Sequence, residues 1–318
     1  MEDRDWRNQT DGMEFILLGF GDLPELKILL FLMFLVIYIA TVTGNILITA
    51  LVVTDQHLHT PMYFFLGNLS CLDTCYASAI LAQMLANLLT GDKTISASGC
   101  IIQMYFFGSL VCTECYLLEV MSYDGYLVIC KPLHYSTLMN TRFSLQLAAG
   151  SWLNGCLAGT IFVSFLSQLT FCGPNEIDHF YCDVIPFMEL SCSDTHWLVL
   201  FHFILSCVFT LPPFLLTLTS YVCIIASILS IPSTAGRQKA FSTCSSHLIV
   251  VTIYYGTLMI VYMLPNHNSL SLLNKVLSLS YTVMTPLVNP LIYSLRNREV
   301  KEALRKAVCK YASFTKTS

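Results

Sequence analysis

The sequence predicts an all-α membrane protein, a seven-transmembrane helix bundle with its N-terminus outside the cell and its C-terminus in the cytosol. Three observations predict it. The 318 residues are 55% hydrophobic and only 11% charged, against roughly 25% charged in an average soluble protein. The apolar residues gather into seven runs, each meeting the ~20 residues that a bilayer-spanning helix needs. The basic residues gather on one side of those runs. Such a composition excludes a soluble globular domain and a disordered chain.

The runs are Ile28 to Thr54, Leu58 to Leu89, Cys100 to Ile129, Phe143 to Thr170, Thr195 to Ile231, Ala240 to Leu264 and Leu270 to Leu295. They are too long, and alternate too little, for barrel strands of about ten residues. A helix satisfies its own backbone in lipid, so each run reads as a helix. An odd number of spans puts the ends on opposite sides. The tail carries Arg296, Arg298, Lys301, Arg305, Lys306, Lys310 and Lys316, and the loops on its side add Lys131, Arg142, Arg237 and Lys239. Across the membrane, one loop holds Glu176, Asp178, Asp183, Glu189 and Asp194 with no Lys or Arg. The positive-inside rule then places the tail in the cytosol. Asn8-Gln9-Thr10 is a glycosylation sequon in the outer N-terminal segment, whereas the sequon at Asn68 falls inside a span. The stretch Phe15 to Phe20 is too short for a cleavable signal, so span one is expected to target the chain.

Of fourteen cysteines, ten lie in or beside spans or in the tail, where a thiol behaves as a small apolar group. Four face the oxidising side: Cys100 at the outer start of span three, and Cys172, Cys182 and Cys192 in the acidic loop. Four cysteines allow three pairings, and spacing does not choose among them. Cys172, His179, Cys182 and Asp183 offer metal-ligand chemistry, but the even extracellular count favours bridges.

Five strings narrow the class. Leu58-His59-Thr60-Pro61-Met62-Tyr63-Phe64-Phe65-Leu66 opens span two. Met121-Ser122-Tyr123-Asp124-Gly125-Tyr126-Leu127-Val128-Ile129-Cys130 closes span three. Ser220-Tyr221 lies near the end of span five. Lys239-Ala240-Phe241-Ser242-Thr243-Cys244-Ser245-Ser246-His247 opens span six, and Pro286-Leu287-Val288-Asn289-Pro290-Leu291-Ile292-Tyr293-Ser294-Leu295-Arg296-Asn297 closes span seven. In order and at the right spans, they resemble the odorant (olfactory) receptors of the rhodopsin-like G-protein-coupled class, closest to the tetrapod-type, class II branch. The resemblance runs from Phe15 to about Lys306. It implies an extracellular segment 1–27, a receptor domain 28–295 and a cytosolic tail 296–318 with a short amphipathic helix on the inner leaflet of the plasma membrane. It also implies the disulfides Cys100–Cys182 and Cys172–Cys192.

Asn45, Asp73, Glu114 and Asn289 fall near the middle of spans, where ionisable groups are costly and mark function by default. The resemblance sets Asp73 and Glu114 side by side, with both asparagines nearby. Two such carboxylates share a proton or a cation, so a sodium ion or proton is expected there; the alternative is a structural hydrogen-bond network. No other cofactor and no nucleic-acid partner is expected. Glu119, one turn inward of Asp124, has no assigned role.

The ligand pocket follows from helix geometry. Seven residues beyond Cys100, about 10 Å deeper, stands Phe107, with Val111 one turn on and Gly108 and Cys112 beside them. Tyr255 and Tyr262 share a face of span six with Leu258 between. The resemblance turns these faces inward beneath the acidic loop, a lining suited to small, volatile, weakly polar ligands.

For signalling, the resemblance implies an odorant-driven outward swing of span six. The crevice so opened, lined by Asp124, Gly125, Tyr126, Tyr221, Lys239 and Arg296, would accept a stimulatory, olfactory-type G protein that raises cAMP. One departure stands out: the family places Arg directly after that Asp, and here the residue is Gly125, which implies weakened coupling. No HExxH, GxSxG or phosphate-binding loop points to an enzyme. A transporter or channel also uses buried acids, but no internal repeat pairs these spans. The pattern Gly155-Cys156-Leu157-Ala158-Gly159 predicts close helix packing at span four.

Overall fold

The structure is a computed structural model that describes residues 14–19, 21, 24–171, 175–192, 196–263, 271–296 and 298–317. Spans one to seven are the helices Pro24–Thr54, Pro61–Thr90, Ala97–Cys130, Thr141–Leu166, His196–Leu229, Thr234–Met263 and Ser271–Arg296. Among the described residues, six of these are long and apolar enough to cross a membrane; span six is apolar over the shorter stretch Cys244–Met259. Exposed Ile28, Val36, Leu153, Trp197 and Val208 give the bundle an apolar outer surface.

Local chemistry sets the helix ends. Span two starts at Pro61, three residues later than its hydropathy indicates, because Gln56–Leu58 forms a separate 3-10 turn capped by Asp55 and proline prefers the first helical turn. It stops at Gly91, whose φ of 81° is open to glycine at little cost. The Ser96 hydroxyl accepts the Gly99 N–H at 3.1 Å to start span three, and Asn140 Oδ1 accepts the Phe143 N–H at 2.9 Å near the start of span four. Span four ends at Leu166 rather than Thr170. Span six begins at Thr234, six residues before its apolar run, since Arg237 and Lys239 disfavour lipid but not helix.

One feature goes beyond an all-helical expectation. A three-stranded sheet caps the outer end: β1 (Glu14–Leu17) lies between β2 (Thr94–Ser96), antiparallel, and β3 (Glu176–Ile177), parallel. The start of the stretch read only as too short for a signal, Phe15 to Leu17, therefore lies in a strand. Its alternation explains this: Phe15 and Leu17 are buried while Glu14 faces out. Phe15 packs edge-on against Phe171 and Phe187, with ring centroids 5.2 and 5.4 Å away. Short helices also form at Pro132–Leu138, Val184–Glu189 and, after span seven, Arg298–Thr317.

Small residues decide how closely the spans approach. A Cβ on Gly155 would stand 2.0 Å from Thr113 Oγ1 and 2.4 Å from the Ser109 carbonyl oxygen; one on Gly159 would stand 2.0 Å from Ser109 Oγ. Spans three and four therefore touch through glycine, as the spacing predicts. Gly44 gives the same access to span seven, where Pro290 carbons lie 3.3 Å from a built Cβ. Pro290 has no N–H, so the carbonyl four residues earlier, on Pro286, loses its helical donor. Asn45 Nδ2 supplies one at 2.9 Å. Asn68 is likewise an interhelical anchor: its Oδ1 accepts the Trp152 indole N–H at 3.1 Å.

Candidate functional site

The acidic loop folds back over the outer end of the bundle and is tied down three ways. Cys182 is disulfide-bonded to Cys100. Gln103 Oε1 accepts the Cys182 N–H at 3.0 Å, and its Nε2 donates to the Ala79 carbonyl at 3.2 Å. Asp178 pairs with Lys275 at the start of span seven. Cys192 is also disulfide-bonded; Cys172, its expected partner, lies outside the described residues, as does Asn8. His179 is buried beside Asp183, Nε2 to Oδ2 3.9 Å, and burial holds its imidazole below the usual histidine range. With Cys182 in a bridge, the metal alternative for this loop loses a ligand, and no cluster of three metal-ligating side chains occurs among the described residues.

Beneath this lid lies a cavity of about 130 Å³. Phe107, Gly108, Val111 and Cys112 of span three line it, as does Leu258 of span six. Tyr255 does not. It sits deeper, its hydroxyl donating to the Cys115 carbonyl at 3.2 Å and its ring 5.0 Å from that of Phe214. Of the face expected from span six, Leu258 lines the cavity while Tyr255 is turned to the Cys115 carbonyl. The side chain of Tyr262 lies outside the described residues. The wall that sequence reasoning missed comes from spans four and five and the loop: Phe162, Val184, His202, Ser206 and Thr210. A signal existed, since 202, 206 and 210 form a polar stripe at helical spacing in an otherwise apolar span.

Deeper in the bundle, Asn289 Nδ2 donates to Asp73 Oδ2 at 2.9 Å and stands beside Glu114 as well. Asp73 and Glu114 are fully buried neighbours, as the resemblance implies. Asp73 Oδ1, Glu114 Oε1 and Asn45 Oδ1 are buried acceptors with no hydrogen-bond partner among the described residues. Asn45 is committed elsewhere: its Nδ2 serves the Thr41 and Pro286 carbonyls.

At the cytosolic end, Asp124 Oδ1 accepts the hydroxyl of Tyr135 from the short loop helix at 3.0 Å. The aspartate thus has a donor without a neighbouring arginine. Tyr126 is half-buried, its ring 6.3 Å from that of Tyr123. Gly125 faces span five, where a Cβ would meet Ile224 Cδ1 at 3.7 Å. The Tyr221 hydroxyl bonds His247 Nδ1 at 2.6 Å, joining spans five and six. Lys239 and Arg296 sit on helices at this end, but their side chains lie outside the described residues.

A family model described as olfactory receptor matches residues 34–311. The chain is 51% identical over 296 residues to olfactory receptor 11A1 of Homo sapiens, covering 93% of this chain and 94% of that protein. It is 49% identical over 303 residues to olfactory receptor 6N1 of Homo sapiens, covering 95% and 97%. To olfactory receptor 5AP2 of Mus musculus it is 47% identical over 311 residues, covering 96% of each. With a seven-helix bundle, a lidded cavity and the five motif strings in their places, the chain belongs to the olfactory receptor family of G-protein-coupled receptors, multi-pass proteins of the plasma membrane and not enzymes.

Proposed function

We propose that the cavity beneath the acidic loop is the odorant site, and that ligand binding there drives coupling to a stimulatory, olfactory-type G protein and a rise in cAMP. The observation that carries this reading is the cavity itself, apolar and aromatic, lined by spans three to six and by Val184 of a loop disulfide-bonded to span three. A ligand shifts the receptor only by its differential affinity for two states. The bridge between Tyr221 and His247 supports a closed cytosolic end here; opening would part spans five and six and expose Asp124, Gly125, Tyr126, Tyr221, Lys239 and Arg296 to the α-subunit. Residues 1–27 form the outer segment, and 296–318 the cytosolic tail. Its helix Arg298–Thr317 lies on the inner leaflet, where Lys301, Arg305 and Lys306 meet anionic lipid.

The buried pair Asp73 and Glu114 would hold a sodium ion or share a proton, with Asn289 alongside. The donor set fits: Asp73 Oδ1 and Glu114 Oε1, buried carboxylate oxygens with no hydrogen-bond partner among the described residues, match the oxygen preference of a hard cation. A screen of volatile ligands on full-length receptor, read as cAMP in cells lacking cAMP-gated channels, tests the function. A ligand-evoked cAMP rise without current is expected; ligand-driven current without cAMP would favour a transporter or channel instead.

A further inference from the structure

The cavity's chemistry narrows the ligand class, an inference that rests on the odorant-site reading. At about 130 Å³ it is comparable with an apolar cavity of ~150 Å³ that accepts benzene, so it holds a molecule with a body of about one ring. Phe107, Phe162, Phe203 and Phe209 present aromatic surface to it. Among the described residues no Asp, Glu, Lys or Arg lines it, so an ionised ligand would be buried without a counter-charge.

Among the described residues, the hydroxyl and imidazole groups of the lining all belong to span five. The Thr210 hydroxyl donates to the Ser206 carbonyl at 2.5 Å, which uses its proton. Ser206 Oγ and His202 Nε2 stand 3.5 Å apart, at the outer limit of a hydrogen bond, and among the described residues neither side chain makes another. The imidazole ring lies 5.1 Å from Phe162, held against the cavity wall. The serine hydroxyl can donate and accept, and the neutral imidazole Nε2 does one or the other according to its tautomer. A hydrocarbon leaves both groups poorly paired. A hydroxyl, itself donor and acceptor, pairs with both in either tautomer; a carbonyl, which only accepts, pairs with both only where both donate.

We infer that the cavity takes a small, neutral, monohydroxylated aromatic molecule of the phenol or benzyl alcohol class, its hydroxyl seated between His202 and Ser206 and its ring among the phenylalanines. Binding is read directly, by saturation-transfer NMR on full-length receptor in nanodiscs, with benzyl alcohol, toluene, benzaldehyde and benzoate as probes. Benzyl alcohol is expected to bind roughly tenfold tighter than toluene and several-fold tighter than benzaldehyde, the yield of one or two extra hydrogen bonds, with no binding of benzoate. His202→Phe, which keeps a ring against Phe162, and Ser206→Ala should each weaken benzyl alcohol about five- to tenfold while moving toluene less than about twofold. A merely structural lesion would weaken both probes alike and would overturn the assignment. So would toluene or benzoate binding as tightly as benzyl alcohol, or no benzyl alcohol binding at millimolar concentration. Benzyl alcohol bound as described but raising no cAMP would support this inference and refute the coupling reading.

Discussion

Replacing Gly125 tests what the arginine that the family resemblance implies at this position would add. The position lies inside the unbroken helix Ala97–Cys130 without a positive φ, so glycine is not needed for the backbone there. A Cβ meets only Ile224 Cδ1, at an ordinary contact distance of 3.7 Å. Gly125→Ala should therefore stabilise the receptor by about 0.5–1 kcal/mol through helix propensity alone. Asp124 already has the Tyr135 hydroxyl at 3.0 Å, so a guanidinium is not required to satisfy it. What Gly125→Arg adds is a charged donor at the mouth of the crevice. One charge-assisted hydrogen bond to the G-protein helix contributes about 1.5 kcal/mol at the low end of its range, or roughly tenfold in coupling efficiency. The assay is ligand-evoked cAMP for parent, Gly125→Ala and Gly125→Arg at matched surface expression. The arginine variant should gain several-fold over the alanine variant, which should stay within about twofold of the parent. Equal gains in both variants, or a parent that already couples as fully as Gly125→Arg, would refute the reasoning.

Cys182→Ala should abolish surface delivery or ligand response, since a bridge of this kind contributes about 2–4 kcal/mol; non-reducing peptide mapping should also recover Cys172 linked to Cys192, and Cys100 linked to Cys172 would contradict the pairing. Asp73→Asn and Glu114→Gln keep volume while removing charge, so each should alter activation and its sodium dependence without loss of surface receptor; responses that match the parent across sodium concentrations would eliminate the cation. Gly155→Val forces atoms into the Ser109 carbonyl and Thr113 hydroxyl, overpacking that costs about 1–3 kcal/mol; a lower thermal midpoint of purified receptor is expected, and an unchanged one would show that spans three and four can separate freely.

Hydropathy made the seven spans legible because the bilayer imposes one length and one polarity on every segment that crosses it. It missed β1, whose four residues carry a period-two pattern too short to stand out until the loops at Thr94–Ser96 and Glu176–Ile177 supply partners. The buried acids were readable because a charge within an apolar run is conspicuous. The cavity was half readable: spacing from Cys100 found Phe107 and Val111, but no sequence rule says that, among the described residues, span six contributes Leu258 and not Tyr255 while span five contributes a polar stripe. Which wall a helix presents depends on its rotation and tilt, and those are set by neighbours such as the Gly155 and Gly159 contacts with span three. The partner of Asp124 was hidden for the same reason, since Tyr135 reaches it only once Pro132–Leu138 has folded as a helix.

Coupling and ligand binding must be reciprocal if the cavity and the cytosolic crevice report on one equilibrium. The most direct measurement is ligand affinity on full-length receptor in nanodiscs, with and without saturating nucleotide-free stimulatory G protein. Affinity should tighten roughly 5- to 150-fold when the G protein is present and relax when guanine nucleotide releases it. An affinity that stays the same at saturating G protein would contradict the account.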